Sequence, residues 1–155
     1  MPVVRVPADE TAKWALGSIS PDGRAVVWAE LSEDTLAQTR VRVWTAADGR
    51  VHELREARIS CVAVHAGNGQ VAIGHGNGHV RLVRPEGLRD GYQPLHQSRV
   101  TSVAYSPDGG ALITTSTDGN AAIWHGKLLT PLSSVFHLGE SVLKSVFSPD
   151  GQRFA

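Results

Sequence analysis

The sequence predicts an all-β chain of short antiparallel strands, and three observations carry that prediction. Six of its eight aspartates stand directly before glycine (Asp22, Asp48, Asp90, Asp108, Asp118 and Asp150), and Asn68-Gly69 and Asn77-Gly78 add two turn dipeptides. Such pairs suit tight reversals, because Gly and Asn best tolerate positive φ. Between the turns lie segments of strand length, rich in β-branched residues, at 24–28, 41–44, 59–64, 70–73, 80–83, 100–105, 111–115, 121–124 and 143–147. No window sustains apolar residues at helical spacing with caps at its ends. The best helical candidate, 32–38, is short and polar and reads as a loop insertion.

The turns are phased. Ser20-Pro21-Asp22-Gly23 recurs as Ser106-Pro107-Asp108-Gly109 and as Ser148-Pro149-Asp150-Gly151, at gaps of 86 and 42 residues. The longer gap is twice 43, so a worn copy is expected near residue 63, and Cys61–Gly69 aligns there with Val103–Gly109. A second landmark follows each turn. Val41-Arg42-Val43-Trp44, Val80-Arg81-Leu82-Val83 and Ala121-Ala122-Ile123-Trp124 end 39 and 41 residues apart. Two independent landmarks at one period mark a repeated unit of four short strands, the size of one propeller blade.

These residues resemble the WD40-repeat family from about residue 14 to the end of the sequence. The strongest unit is Val100–Gly109 followed by Thr115–Trp124. The usual Trp-Asp ending is absent: Trp44 precedes Thr45, Trp124 precedes His125, and Val83 replaces the tryptophan. The resemblance implies a β-propeller of four-stranded antiparallel blades, incomplete in this chain. The expected repeats are 14–58, 59–99, 100–141 and a truncated 142–155, within one partial propeller spanning 1–155.

Within a blade, Ser-Pro-Asp-Gly suits the connection from the first strand to the second, since Pro presets φ and Asp-Gly completes the reversal. Asp118-Gly119 suits the next hairpin. Strand alternation makes Val103, Tyr105, Leu112 and Ile123 candidates for burial between blades. The resemblance further implies a buried hydrogen-bond network of His96, Ser116 (or Thr115), Asp118 and Trp124. The second unit has Arg55, His75, Asn77 and Val83 at the matching places, and the first carries an insertion at 31–39. The third unit is therefore expected to be the most rigid and the first the most variable.

Other groupings are weighed against plainer alternatives. Ser116, His96 and Asp118 invite a hydrolase triad, but no Gly-x-Ser-x-Gly marks a nucleophile elbow, and a satisfied polar network is preferred. His75 and His79 flank Gly76-Asn77-Gly78, yet protein zinc sites use three or four ligands, so an exposed loop pair is expected. The Gly-His-Gly-Asn-Gly-His run lacks the helix and Lys of a phosphate loop. Arginine outnumbers lysine 12 to 3. Arg42 and Arg81 take matching outward positions, read as solvated strand faces rather than a basic stripe. Trp14, Trp28, Trp44 and Trp124 read as core.

Composition narrows the function. The chain has 155 residues with 15 basic and 15 acidic side chains, so no global attraction to nucleic acid or anionic membrane is expected. No stretch approaches the roughly 20 apolar residues of a membrane helix, and the first ten residues carry acids rather than an apolar signal core. The single Cys61 excludes an internal disulfide and a Cys-based zinc cluster, and suits the cytoplasm. No catalytic, cofactor or metal residue is expected. The leading function is a protein-interaction scaffold binding a protein or peptide through its loops, with 31–39 and 85–96 as contact candidates. The alternatives are a sensor or regulatory segment of a multidomain protein, and a propeller enzyme acting as a hydrolase or lyase. The length is about 3.6 units of the repeat, so either more chain or a homo-oligomer is expected to close the ring. Residues 3–6 and 143–155 are then expected as partial strands of shared blades.

Overall fold

A computed structural model describes residues 15–30, 39–85 and 93–155. They form twelve strands: β1 (Ala15–Ile19), β2 (Ala25–Glu30), β3 (Thr39–Thr45), β4 (Val51–Glu56), β5 (Ile59–Val64), β6 (Val71–His75), β7 (His79–Val83), β8 (Gln93–Pro94), β9 (Val100–Tyr105), β10 (Ala111–Ser116), β11 (Asn120–His125) and β12 (Phe136–His137). They make three four-stranded sheets, β1 to β4, β5 to β8 and β9 to β12, each in sequence order and antiparallel throughout. No helix occurs among the described residues. The architecture is that of consecutive propeller blades in an open ring.

The Ser-Pro-Asp-Gly turns work identically wherever they occur. Ser20 Oγ donates to Asp22 Oδ1 (2.6 Å), which also accepts the Arg24 amide (3.1 Å), while Ala25 N donates to Ser20 Oγ (2.8 Å). Ser106 and Asp108 repeat this geometry with the Gly110 and Ala111 amides, and Ser148 and Asp150 repeat it with those of Gln152 and Arg153. The worn copy retains part of it, with Gln70 N on Asn68 Oδ1 at 3.0 Å. One physical device, an Asx turn closed by a serine, therefore recurs at the period that the sequence displays.

Alternation along the second sheet builds both seams. Val62, Val64, Val71, Ile73 and Val83 face the first sheet and meet Val27, Val41, Val43 and Leu54. Ala63, Ala72, Val80 and Leu82 face the third sheet and meet Val100, Leu112, Ala122 and Trp124. Val103, Tyr105 and Leu112 are buried as expected, but Ile123 is only half-buried. It pairs with Ile113, on the alternation opposite to the Leu112–Trp124 pair that packs into the seam.

The outermost strands depart most from expectation. β4, β8 and β12 carry few apolar residues, so none has a strong β-branched signature, and the first strand, β1, is likewise weakened by a glycine. Residues 143–147, expected as a strand, form only a bridge from Phe147 to Phe154, closed by reciprocal Val146 and Ala155 backbone bonds. They still occupy the place of a fourth innermost strand: the Thr101 hydroxyl donates to the Val142 carbonyl, and Ser145 N donates to Ser102 Oγ at 3.3 Å. The expected outer strand at 3–6, Trp14, the insertion at 31–38 and the loop at 86–92 lie outside the described residues.

Candidate functional site

The third sheet holds the most developed polar cluster. Trp124 Nε1 donates to Thr114 Oγ1 at 2.8 Å, and Thr114 Oγ1 lies 2.8 Å from His96 Nε2. His96 Nδ1 lies 3.4 Å from Asp118 Oδ2. With the His96 proton on Nδ1, every donor points one way: indole to hydroxyl, hydroxyl to imidazole, imidazole to carboxylate. Asp118 completes its bonding with the Gln97 amide on Oδ2 (2.8 Å) and the Asn120 amide on Oδ1 (3.0 Å).

Of the residues chosen from sequence, the structure brings His96, Asp118 and Trp124 together but joins them through Thr114. Ser116 stands outside the chain from Trp124 to His96, and its hydroxyl bonds Asp118, with Oγ accepting the Asp118 amide at 3.1 Å. Thr115 lies in the next register position, opposite Ser102, and its hydroxyl meets that of Thr101 at 3.0 Å. The reason is cross-strand geometry. Trp124 pairs with Leu112, so its indole reaches the diagonal neighbour on the same face, which is Thr114. By the same register Ile73 and Trp28 stand at that place in the second and first sheets, since Val83 pairs with Val71 and Trp44 with Val26. Only the third sheet has a hydroxyl there.

Burial sets the electrostatics. It holds the His96 imidazole below its ordinary value, against the opposing pull of Asp118. Burial alone would raise Asp118, but the Gln97 and Asn120 amides, His96 and the Ser116 hydroxyl outweigh it and keep the carboxyl low. The pair is therefore a neutral imidazole beside a carboxylate. Thr114 and Ser116 are fully buried, so neither hydroxyl is presented to a substrate. The arrangement closes the hairpin between β10 and β11 and ties the loop before β9 to it.

An ion pair bridges the first and second sheets. Arg81 Nη1 on β7 meets Glu56 Oε1 on β4 at 2.9 Å, with the Glu56 side chain 2% exposed. Arg42 likewise bonds Glu30 on its own sheet, and Glu53 at 3.2 Å. The matching positions of Arg42 and Arg81 are thus half-buried and paired, neither a basic stripe nor freely solvated. His75 also departs from expectation. It is buried, with Nδ1 3.0 Å from the Ala57 carbonyl, and burial lowers its pKa. His79 Nδ1 faces the Asn77 carbonyl at 3.2 Å. No group of three or more potential metal ligands occurs among the described residues. Burial pushes the Cys61 thiol up to about 11, which makes it inert.

His65 joins the second and third sheets at their turns. Its Nε2 lies 3.0 Å from the Gly109 carbonyl, and its ring meets Tyr105 edge-on at 5.0 Å. Hollows lie at the ends of the sheets. One of about 650 Å³ lies between the turns of the first two sheets, lined by Arg24, Thr45, Asp48, His52 and Asn68. The second, about 290 Å³, lies among the innermost strands beside Pro21, Pro107 and Pro149. The third, about 280 Å³, is lined by Ala57, Arg58, His75, Asn77 and His79.

Comparison with known proteins bears on this geometry. The family model described as "WD domain, G-beta repeat" matches residues 93–125. The chain is 39% identical over 83 residues to the Periodic tryptophan protein 2 homolog of Caenorhabditis elegans, covering 50% of this chain and 9% of that protein. It is 34% identical over 100 residues to WD repeat-containing protein 1-B of Xenopus laevis (61% and 16%). It is 34% identical over 65 residues to Protein Rae1 of Drosophila melanogaster (42% and 18%). The matches thus span less than a fifth of each of these relatives.

Proposed function

We propose that this chain, which carries a WD-type repeat at residues 93–125, serves as a protein-interaction scaffold, binding a protein or peptide at the loop-bearing ends of its sheets. One observation carries the reading most directly. The titratable and hydroxyl groups of the best-developed site are turned inward and bonded to one another, which stiffens the frame. Rigid frames of this kind present variable loops as binding surfaces. WD40 domains generally mediate protein–protein contacts, and the rims here carry exposed polar residues such as Asn77 and Gln97.

A photo-crosslinking residue placed singly at Asn77 or Gln97, in cells that express the protein, tests this. Discrete covalent adducts with one protein are expected. An absence of protein adducts from both positions, and from matched positions in the turns at the opposite end, would overturn the proposal.

A second reading concerns self-association. Phe136, Leu138, Leu143, Val146 and Phe154 are exposed apolar side chains around the third sheet, with Phe136 and Phe154 in contact at 5.4 Å. Such a surface favours cover by further blades or by another copy. Light scattering of the purified chain is expected to show association that falls when Leu143 and Val146 are replaced by Asp. A stable monodisperse monomer at micromolar concentration would contradict association between copies.

A further inference from the structure

The innermost strands of adjacent sheets begin in the same way. Arg58 directly precedes β5, and Arg99 directly precedes β9. Each arginine's carbonyl receives the amide of the hairpin above its own sheet: Gly76 N on Arg58 O at 3.0 Å, and Thr117 N on Arg99 O at 3.0 Å. The two positions are therefore structural equivalents, one repeat apart. The strands that they precede are packed together, with Ser60 Oγ on β5 donating to the Val100 carbonyl on β9 at 2.6 Å.

Both side chains are exposed. Neither guanidinium makes an ion pair with any described residue. Two carboxylates at this end of the sheets are already engaged. Glu56 holds Arg81, and Asp118 accepts the Gln97 and Asn120 amides beside His96. Glu140, exposed and with its backbone against Gly119, is a further carboxylate at this end, two residues before the Val142 carbonyl that accepts the Thr101 hydroxyl. Arg58 also stands at φ 55, a left-handed conformation that a non-glycine residue adopts only where its surroundings impose it. It lines the 280 Å³ hollow with His75, Asn77 and His79.

We propose that Arg58 and Arg99 form a paired anion-recognition site for an acidic peptide segment of a protein partner, its carboxylates or phosphates held by the two guanidiniums beside that hollow. This inference rests on the scaffold reading and names the partner's chemistry. Planar guanidiniums without an ion pair to any described residue are suited to bidentate capture of such groups. Charge complementarity selects the occupant. Two arginines at equivalent ends of packed strands match the spaced anions of a short peptide. A nucleic-acid backbone draws its affinity from many phosphate contacts, and the chain as a whole carries no net charge.

The test titrates the full chain with fluorescent peptides of one sequence carrying Glu, Gln or phosphoserine, and with a single-stranded oligonucleotide. The Glu or the phosphoserine peptide is expected to bind at least about tenfold more tightly than the Gln peptide, and to weaken with added salt. Whichever binds more tightly identifies the anionic group. Arg58→Glu and Arg99→Glu are each expected to weaken binding about tenfold, while Arg153→Glu, at the opposite end, leaves it unchanged. Circular dichroism confirms that each variant is folded. Equal binding of Glu and Gln peptides, indifference to both reversals, or tighter binding of the oligonucleotide would overturn the proposal. Protein crosslinks from Asn77 and Gln97 that persist in the double reversal would also overturn it while leaving the scaffold reading in place.

Discussion

Thr114 is the residue on which the third sheet's polar network turns. Its hydroxyl accepts from Trp124 and donates to His96. Thr114→Val would leave a buried indole N–H and a buried imidazole nitrogen without partners, at a cost of about 2–4 kcal/mol. Ser116→Ala removes one acceptor for the Asp118 amide and is expected to cost about 1 kcal/mol. Urea denaturation of the two variants ranks them, and the reverse order would show that the network does not run through Thr114. The proton inventory adds a pH dependence. Burial lowers His96 and His75 from 6.5 in the folded chain. Below 6.5 the unfolded chain takes up protons that the folded chain refuses, so stability falls as pH drops, with a slope of up to about 1.4 kcal/mol per pH unit for each histidine. Asp118 has a lowered carboxyl, so its stabilising contribution is lost only as pH falls below 3.8. His96→Gln is expected to reduce the slope between pH 6.5 and 5. A slope identical to that of the parent would contradict the assignment.

At the scale of single elements, the turns separate backbone preference from packing. Gly23 and Gly109 occupy equivalent Ser-Pro-Asp-Gly positions at φ 69 and φ 72. A Cβ at Gly23 meets nothing within 4 Å, whereas one at Gly109 would stand 2.3 Å from His65 Nε2. Gly23→Ala is expected to cost about 1–2 kcal/mol from the left-handed backbone alone. Gly109→Ala should cost at least about 1 kcal/mol more, because His65 must leave the Gly109 carbonyl. Equal melting temperatures for the two variants would remove His65 from the seam. Elements also show how far the residues speak for themselves. β5 and β9 fall on the residues their β-branched runs predict, since both faces of these innermost strands are covered and apolar composition is enforced along their length. β4, Val-His-Glu-Leu-Arg-Glu, is half solvated and reads as polar chain. Its place is set by pairing with β3 rather than by composition. The network's face was legible from the spacing to Asp118-Gly119, but its depth was not. Ser116 and Thr114 share that face, and only the pairing of Leu112 with Trp124 selects the deeper hydroxyl. The ion pair of Glu56 with Arg81 joins strands 25 residues apart in sequence and has no local signature.

Across the whole molecule, the second sheet is the common wall of both seams, so its side chains couple the array. Leu82 is fully buried against the third sheet. Leu82→Ala is expected to cost about 2–5 kcal/mol and to lower the stability of the second and third sheets together. Independent unfolding of the two sheets would contradict that coupling. In the proposed scaffold the third sheet's polar network is engaged internally, while Arg58 and Arg99 at the end of the sheets are exposed. Hydrogen exchange of the full chain, compared before and after binding the protein captured by crosslinking, tests this division most directly. Slowed exchange is expected around Arg58, Gly76–Gly78 and His96–Arg99, with amides inside β6, β9 and β10 unchanged. Protection spread through the sheet interiors, or confined to the Ser-Pro-Asp-Gly turns at the opposite end, would contradict it.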